Sequence, residues 1–146
     1  MTEQALQILT RAARDKAQRA ITALLVSCAT VTAFDPARDY TLTELEPYDA
    51  MSSRFIRAVE MALRFMRTLE RLEFAEQSDS VRDLLHRMEK LGMVSETGLW
   101  LMMRDMRNRI VHDYLPGEIK VMYDNIIGVY SAELEAFSQR IATRII

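Results

Sequence analysis

Arg107, Asn108, His112 and Tyr114 fall within the eight-residue segment Arg107-Asn108-Arg109-Ile110-Val111-His112-Asp113-Tyr114. An imidazole five residues after a guanidinium suits acid–base work beside a phosphate. The histidine can move a proton near neutral pH, and the arginine can hold phosphate oxygens and stabilise added negative charge. Their spacing poses a geometric problem. At ~100° per residue, Asn108 and His112 lie ~40° apart on an ideal helix, whereas Arg107 and His112 lie ~140° apart. One helix does not bring that pair onto a single phosphate. Two remedies exist: unwinding of the last turn before Pro116, or a two-fold dimer in which motifs from both chains line one cleft. His112, in the expected last turn, would have its protonated form favoured by the helix dipole. Arg104 and Arg109 add positive charge beside the motif.

Each residue also has a plainer role. His112 fits a helix-end side chain bonded to a carbonyl, Arg104 and Arg107 fit solvated charges paired with Asp105, and Tyr114 fits packing under Leu115-Pro116-Gly117. No competing chemistry stands out elsewhere. His86 has Asp83 and Glu89 three residues to either side but no second histidine, so no metal site is expected. Cys28, the one cysteine, lies in an apolar stretch and reads as an inert thiol of a reducing compartment. The methionines at 102, 103 and 106 read as core filler, and Trp100 as the edge of an apolar stripe that marks an interface.

The segment resembles the signature of the HEPN family of small helical ribonucleases: an arginine, a polar residue, a histidine four to six positions on, and a tyrosine two further. The resemblance implies a homodimeric, metal-independent endoribonuclease that needs no cofactor. Such an enzyme is the toxin of a toxin–antitoxin pair and acts on tRNA or mRNA. The ribose 2′-hydroxyl is the nucleophile. Arg107, Asn108 and His112 would be catalytic, Arg104 and Arg109 would bind RNA, and the products would be a 2′,3′-cyclic phosphate and a 5′-hydroxyl. It further implies a minimal nucleotidyltransferase as antitoxin, which would transfer adenylyl groups to Tyr114. A reading from another class is a noncatalytic helical subunit that binds substrate for, or regulates, a nucleotidyltransferase.

The elements that must position these residues are helical. The 146 residues suit one domain spanning 1–146, and four glycines and three prolines interrupt a sequence rich in helix formers. An all-α, up-and-down bundle of about five helices is expected. The first runs over about 2–33, until Asp35-Pro36. Pro47 is expected in the first turn of a second helix whose apolar stripe is Tyr48, Met51, Phe55, Val59, Ala62, Met66 and Leu69. Arg54, Arg57, Arg64, Arg67 and Arg71 lie mostly off that stripe.

Ser80 is expected to start a short third helix and Gly92 to stop it. Ser95 should cap a fourth, with Leu99, Met102, Met103, Met106 and Ile110 inward, ending by Leu115. A fifth over about 118–144 should bury Tyr123, Ile127, Tyr130, Leu134, Phe137, Ile141 and Ile145. A formal charge of −2 and a pI near 5.7 argue against a broad nonspecific nucleic-acid binder, so RNA contact must be local. With no signal-peptide pattern, and an uncharged run from Ala20 to Phe34 too short and polar to span a bilayer, a cytoplasmic location without membrane contact is expected.

Overall fold

A computed structural model describes residues 1–110 and 115–146. The described residues form an all-α bundle: α1 (Glu3–Thr30), α2 (Leu42–Phe74), α3 (Val81–Lys90), α4 (Thr97–Arg109), α5 (Pro116–Asn125), a π turn (Ile126–Tyr130) and α6 (Ser131–Ala142). Helix α2 is the spine. The whole predicted stripe from Tyr48 to Leu69 is buried, because seven apolar residues advancing at threes and fours keep one face of a straight helix dry.

Helix α1 packs antiparallel to it. Ala13, Ala17 and Ala20 permit close approach, Ile21 and Leu24 fill the space beyond, and Arg54 reaches from α2 to Ser27 Oγ at 2.9 Å. The α5–α6 rod runs back along α1, with Gln18 reaching Ser138 O and Arg14 reaching Arg144 O. At the end of the bundle where α1 gives way to α2, Phe34 stacks on Tyr40 and Tyr48 on Tyr123.

Several boundaries differ from those the sequence suggests, each for a local reason. Helix α2 begins before Pro47, not at it. Thr41 Oγ1 accepts from Glu44 N, while Glu44 Oε1 accepts from Thr41 N, a reciprocal capping box that starts the helix at Leu42 and leaves Pro47 inside it. The proline forfeits one i→i−4 bond there, and the box offsets that loss. Thr41→Ala should therefore cost about 1 kcal/mol. Thermal circular dichroism should read this as a drop in Tm of about 2–4 °C, and an unchanged Tm would show that the box contributes nothing.

Helix α3 starts and stops where expected, at the Ser80 cap and before Gly92, which has φ +78°. Ser95 does not cap α4. Its hydroxyl is bonded to Glu133, and the first turn of α4 is capped from outside by Glu89, whose Oε1 accepts from Thr97 N at 2.7 Å.

Helix α4 keeps Met103 and Met106 inward as expected, with Leu99 and Ile110 partly buried, but turns Trp100 in and Met102 out. Trp100, 1% exposed, packs edge-on to Phe137 at 4.9 Å with Met103 and Met106 beside it, while Met102 is 59% exposed. The indole carries more apolar area than any methionine, so burying it sets the rotation. Its Nε1 donates to Glu133, which also accepts from Ser95 and from Arg140 at 2.8 Å. Trp100 is thus a core residue, not an interface one.

The last expected helix starts two residues early, at Pro116 in the N1 position, and contains the π turn. Ser131 Oγ donates to Ile127 O and Gly128 O within that turn. One extra residue in the turn shifts the phase of everything before it. Met122 and Ile126 are therefore the fully buried positions, and Tyr123 and Ile127, expected inward, are only partly buried. After the turn Leu134, Phe137 and Ile141 follow the expected face, while Ile145 lies past the helix end and is exposed.

Among the described residues no helix is long and apolar enough to cross a membrane, and no group of three or more His, Cys, Asp or Glu could hold a metal ion.

Candidate functional site: an arginine-lined hollow

Helix α4 runs antiparallel to α2, with the Trp100–Glu133 bond and the Met103 and Met106 packing fixing its rotation. That rotation decides where its polar residues go. Arg104 and Arg107, three apart, are turned toward α2, where Arg64 and Arg67 occupy the facing side of that helix. The four guanidinium side chains line one hollow of about 440 Å³, with Leu63 and Val81 as its apolar wall and Glu60 as the one acidic residue among the described residues that line it. Four positive charges against one negative make this a concentrated basic spot in a chain of net charge −2.

Arg107 is held in a defined orientation. Its Nε and Nη2 donate to Asn108 Oδ1 at 3.2 and 2.8 Å, so one edge of the guanidinium is fixed by its neighbour in sequence. Its Nη1 lies 3.6 Å from Glu60 Oε1, an ion pair longer than a hydrogen bond. A guanidinium has five N–H donors, so the Nη1–Nη2 edge keeps donors for an anion. The side chain is 22% exposed, open enough to meet a ligand yet backed by protein. Arg64, Arg67 and Arg104 have no ion pair among the described residues.

The sequence-predicted site is divided by the fold. Arg107, Asn108 and Arg104 fall on the hollow or its rim. Arg109 projects to the other flank of α4, pairs with Asp105 at 3.6 Å, and lines an apolar hollow of about 490 Å³ between α4 and α5, with Met102, Val121 and Tyr130. Asp105 thus pairs with Arg109 and not with Arg104 or Arg107. The Tyr130 hydroxyl there has its pKa raised, first by burial and then by the nearby Asp105 charge. His112 and Tyr114 lie outside the described residues.

Arg64 and Arg67 were not singled out as site residues by sequence. The available signal was positional: residues 57, 60, 64, 67 and 71 advance by threes and fours, so one polar face of α2 carries four arginines. Alone, that pattern reads as a solvated surface; it becomes a site only when α4 turns two more arginines toward it.

The other chemically notable residues are accounted for by structure. His86 Nδ1 lies 3.2 Å from Thr97 Oγ1, between α3 and the start of α4. Burial raises the Cys28 thiol pKa, which keeps it protonated and poorly nucleophilic. Glu70, buried at the end of α2, accepts from Ser78 N at 2.7 Å and meets Arg87 at 3.3 Å, tying down the turn into α3.

A comparison with individually curated proteins finds no match. The family model described as nucleotidyltransferase substrate binding protein like matches residues 2–143, nearly the whole chain, and the protein belongs to that family.

Proposed function

We propose that this protein is a metal-independent endoribonuclease, acting as a homodimer and paired with a nucleotidyltransferase that silences it. The observation that supports this reading most directly is Arg107, oriented by Asn108 in the wall of a hollow whose charge balance calls for an anion. A phosphodiester fits the donor geometry of arginine, which binds two phosphate oxygens at once.

The chemistry needs little else from the protein. The ribose 2′-oxygen attacks the adjacent phosphorus and loses its proton to a base. The bond from phosphorus to the 5′-oxygen breaks, and that oxygen takes a proton from an acid. Arg107 stabilises the added charge on the phosphorane oxygens, and the motif assigns the proton transfers to His112. In a two-fold dimer, two copies of His112 supply one base and one acid for a single cleft. That arrangement also answers the ~140° separation of Arg107 and His112 along one ideal helix. Family membership supports the nucleotidyltransferase partner, and the motif supports toxin and antitoxin as the relationship.

A second reading is favoured by the family description itself: a noncatalytic subunit that binds substrate for a nucleotidyltransferase, with the arginine hollow as the binding site. The two separate on one measurement. The purified protein should cleave single-stranded RNA in excess EDTA and leave 2′,3′-cyclic phosphate ends. Intact RNA after prolonged incubation would remove the ribonuclease reading and leave the binding subunit.

A further inference from the structure

We propose that Arg64 and Arg67 form a subsite for the phosphates that flank the scissile one, so that the protein grips a stretch of single-stranded RNA across α2 as well as α4. This deepens the ribonuclease reading and rests on it for the identity of the ligand.

Spacing and charge carry the inference. On each helix the two arginines are three residues apart, or ~4.5 Å along the axis, and the two pairs face each other across one hollow. Arg107 is engaged by Asn108 and Glu60, whereas Arg64, Arg67 and Arg104 meet no carboxylate within ion-pair distance among the described residues. Uncompensated like charges gathered at one place repel one another, and an entering polyanion relieves that repulsion. A single phosphate offers too few oxygens to satisfy four guanidinium forks. A run of phosphodiesters, each taking one or two arginines, satisfies them all.

Glu60 does not block this. Its carboxylate is 47% exposed and its contact with Arg107 is long, so the pair is worth less than about 1 kcal/mol and yields to phosphate. The neighbouring Leu63 and Val81 give sugar or base an apolar surface to rest on.

The test is the salt dependence of RNA binding. A fluorescein-labelled single-stranded RNA of twelve nucleotides is titrated with full-length protein in the His112→Ala background, which prevents cleavage, and anisotropy is read across a series of KCl concentrations. Each phosphate contact contributes about 0.7 to the slope of log K against log salt for single strands. Arg64→Gln/Arg67→Gln should bind at least about tenfold more weakly, with a slope shallower by about 1.4. Arg64→Lys/Arg67→Lys keeps the charges and should keep the slope. Lys16→Gln/Arg19→Gln, an equal loss of charge on the exposed face of α1, should leave the slope unchanged.

If protein with His112 intact cleaves RNA while the glutamine pair at 64 and 67 leaves slope and affinity as they were, the subsite is wrong and the ribonuclease reading stands. If the slope falls as expected but protein with His112 intact never cleaves, Arg64 and Arg67 stand as an RNA phosphate site and the catalytic reading fails. No RNA binding at all overturns both.

Discussion

Arg107→Ala and His112→Ala are each expected to lower RNA cleavage by about 10²- to 10³-fold or more, with the helical circular-dichroism signal intact. Losing a group that stabilises developing oxyanion charge costs about that much, and general acid–base catalysis contributes about 10²–10⁴. The fold should survive the arginine change. Arg107 contacts Glu60 at 3.6 Å at a partly solvated site, a pair worth less than about 1 kcal/mol, and its other contact is with its own neighbour Asn108.

For His112 the expectation comes from the motif alone. Asn108→Ala should give a smaller loss, because it frees the Arg107 guanidinium to rotate without removing its charge. Mixing the two inactive proteins then examines the assembly: a mixed dimer holds one intact Arg107 and one intact His112, so it should stay inactive if both copies of His112 are needed, and partial recovery would show that one histidine suffices with an arginine from the other chain. Full activity in Arg107→Ala and His112→Ala would end the catalytic assignment.

How much of this was legible in the sequence depends on how local each signal is. The α2 stripe was readable because the apolar steps of three and four persist over seven residues, and nothing non-local contradicts them. The start of α2 is hidden in the sequence for a different reason. Pro47 is a conspicuous marker, but the reciprocal Thr41–Glu44 bonds decide the boundary. The α5–α6 face matches the sequence pattern from Tyr130 at the end of the π turn through Ile141, fails at Ile145 past the helix end, and is one residue out of phase before Tyr130, since a single inserted residue leaves no mark in composition.

The rotation of α4 was harder still. Met102 and Trp100 each border the stripe that holds Met103 and Met106, and either could be the buried one. The choice falls to Phe137 and Glu133, more than thirty residues away in sequence.

The same rotation sorts the candidate site. Arg104 lies three residues before Arg107 and Arg109 two after it, and Arg104 shares its hollow while Arg109 lies on the opposite flank. Steps of three keep residues on one face, and steps of two do not. That much was available beforehand. The contribution of α2 was not, because Arg64 and Arg67 acquire a purpose only through the antiparallel approach of α4. The part of the chemistry that depends on His112 and Tyr114 lies outside the described residues and rests on the motif.

Co-expression with a nucleotidyltransferase partner and ATP should abolish RNA cleavage by the wild-type protein, and Tyr114→Phe should cleave normally and escape silencing. The acceptor would be the Tyr114 hydroxyl: its oxygen attacks the α-phosphorus of ATP, pyrophosphate leaves, and the hydroxyl proton passes to a base of the transferase. Tyr114 stands two residues beyond His112 and two before Pro116, and its described neighbour Leu115 is 71% exposed. A transferase can therefore reach the chain at Leu115 without opening the core, and the role of Tyr114 itself rests on the motif. The product carries a phosphodiester and a nucleoside close in sequence to Arg107. Such a phosphate would compete with RNA for the arginines of the hollow.

One charge-assisted hydrogen bond is worth about 1.5–3 kcal/mol, so occupying even one arginine should weaken RNA binding by about ten- to a hundredfold. Silencing would then act on binding and leave thermal stability unchanged. Intact-mass and peptide mass spectrometry of the co-expressed protein locates the adenylyl groups, and anisotropy with labelled RNA measures the loss of binding. Tyr114→Phe removes only the acceptor hydroxyl and keeps the ring, so any packing role for the side chain survives and the comparison isolates modification. Adenylyl groups found on another residue, or a Tyr114→Phe protein silenced as fully as wild type, would rule this route out. Inhibition would then come from the partner covering the arginine hollow directly, and Arg64→Gln/Arg67→Gln, which alters that surface, should weaken the complex.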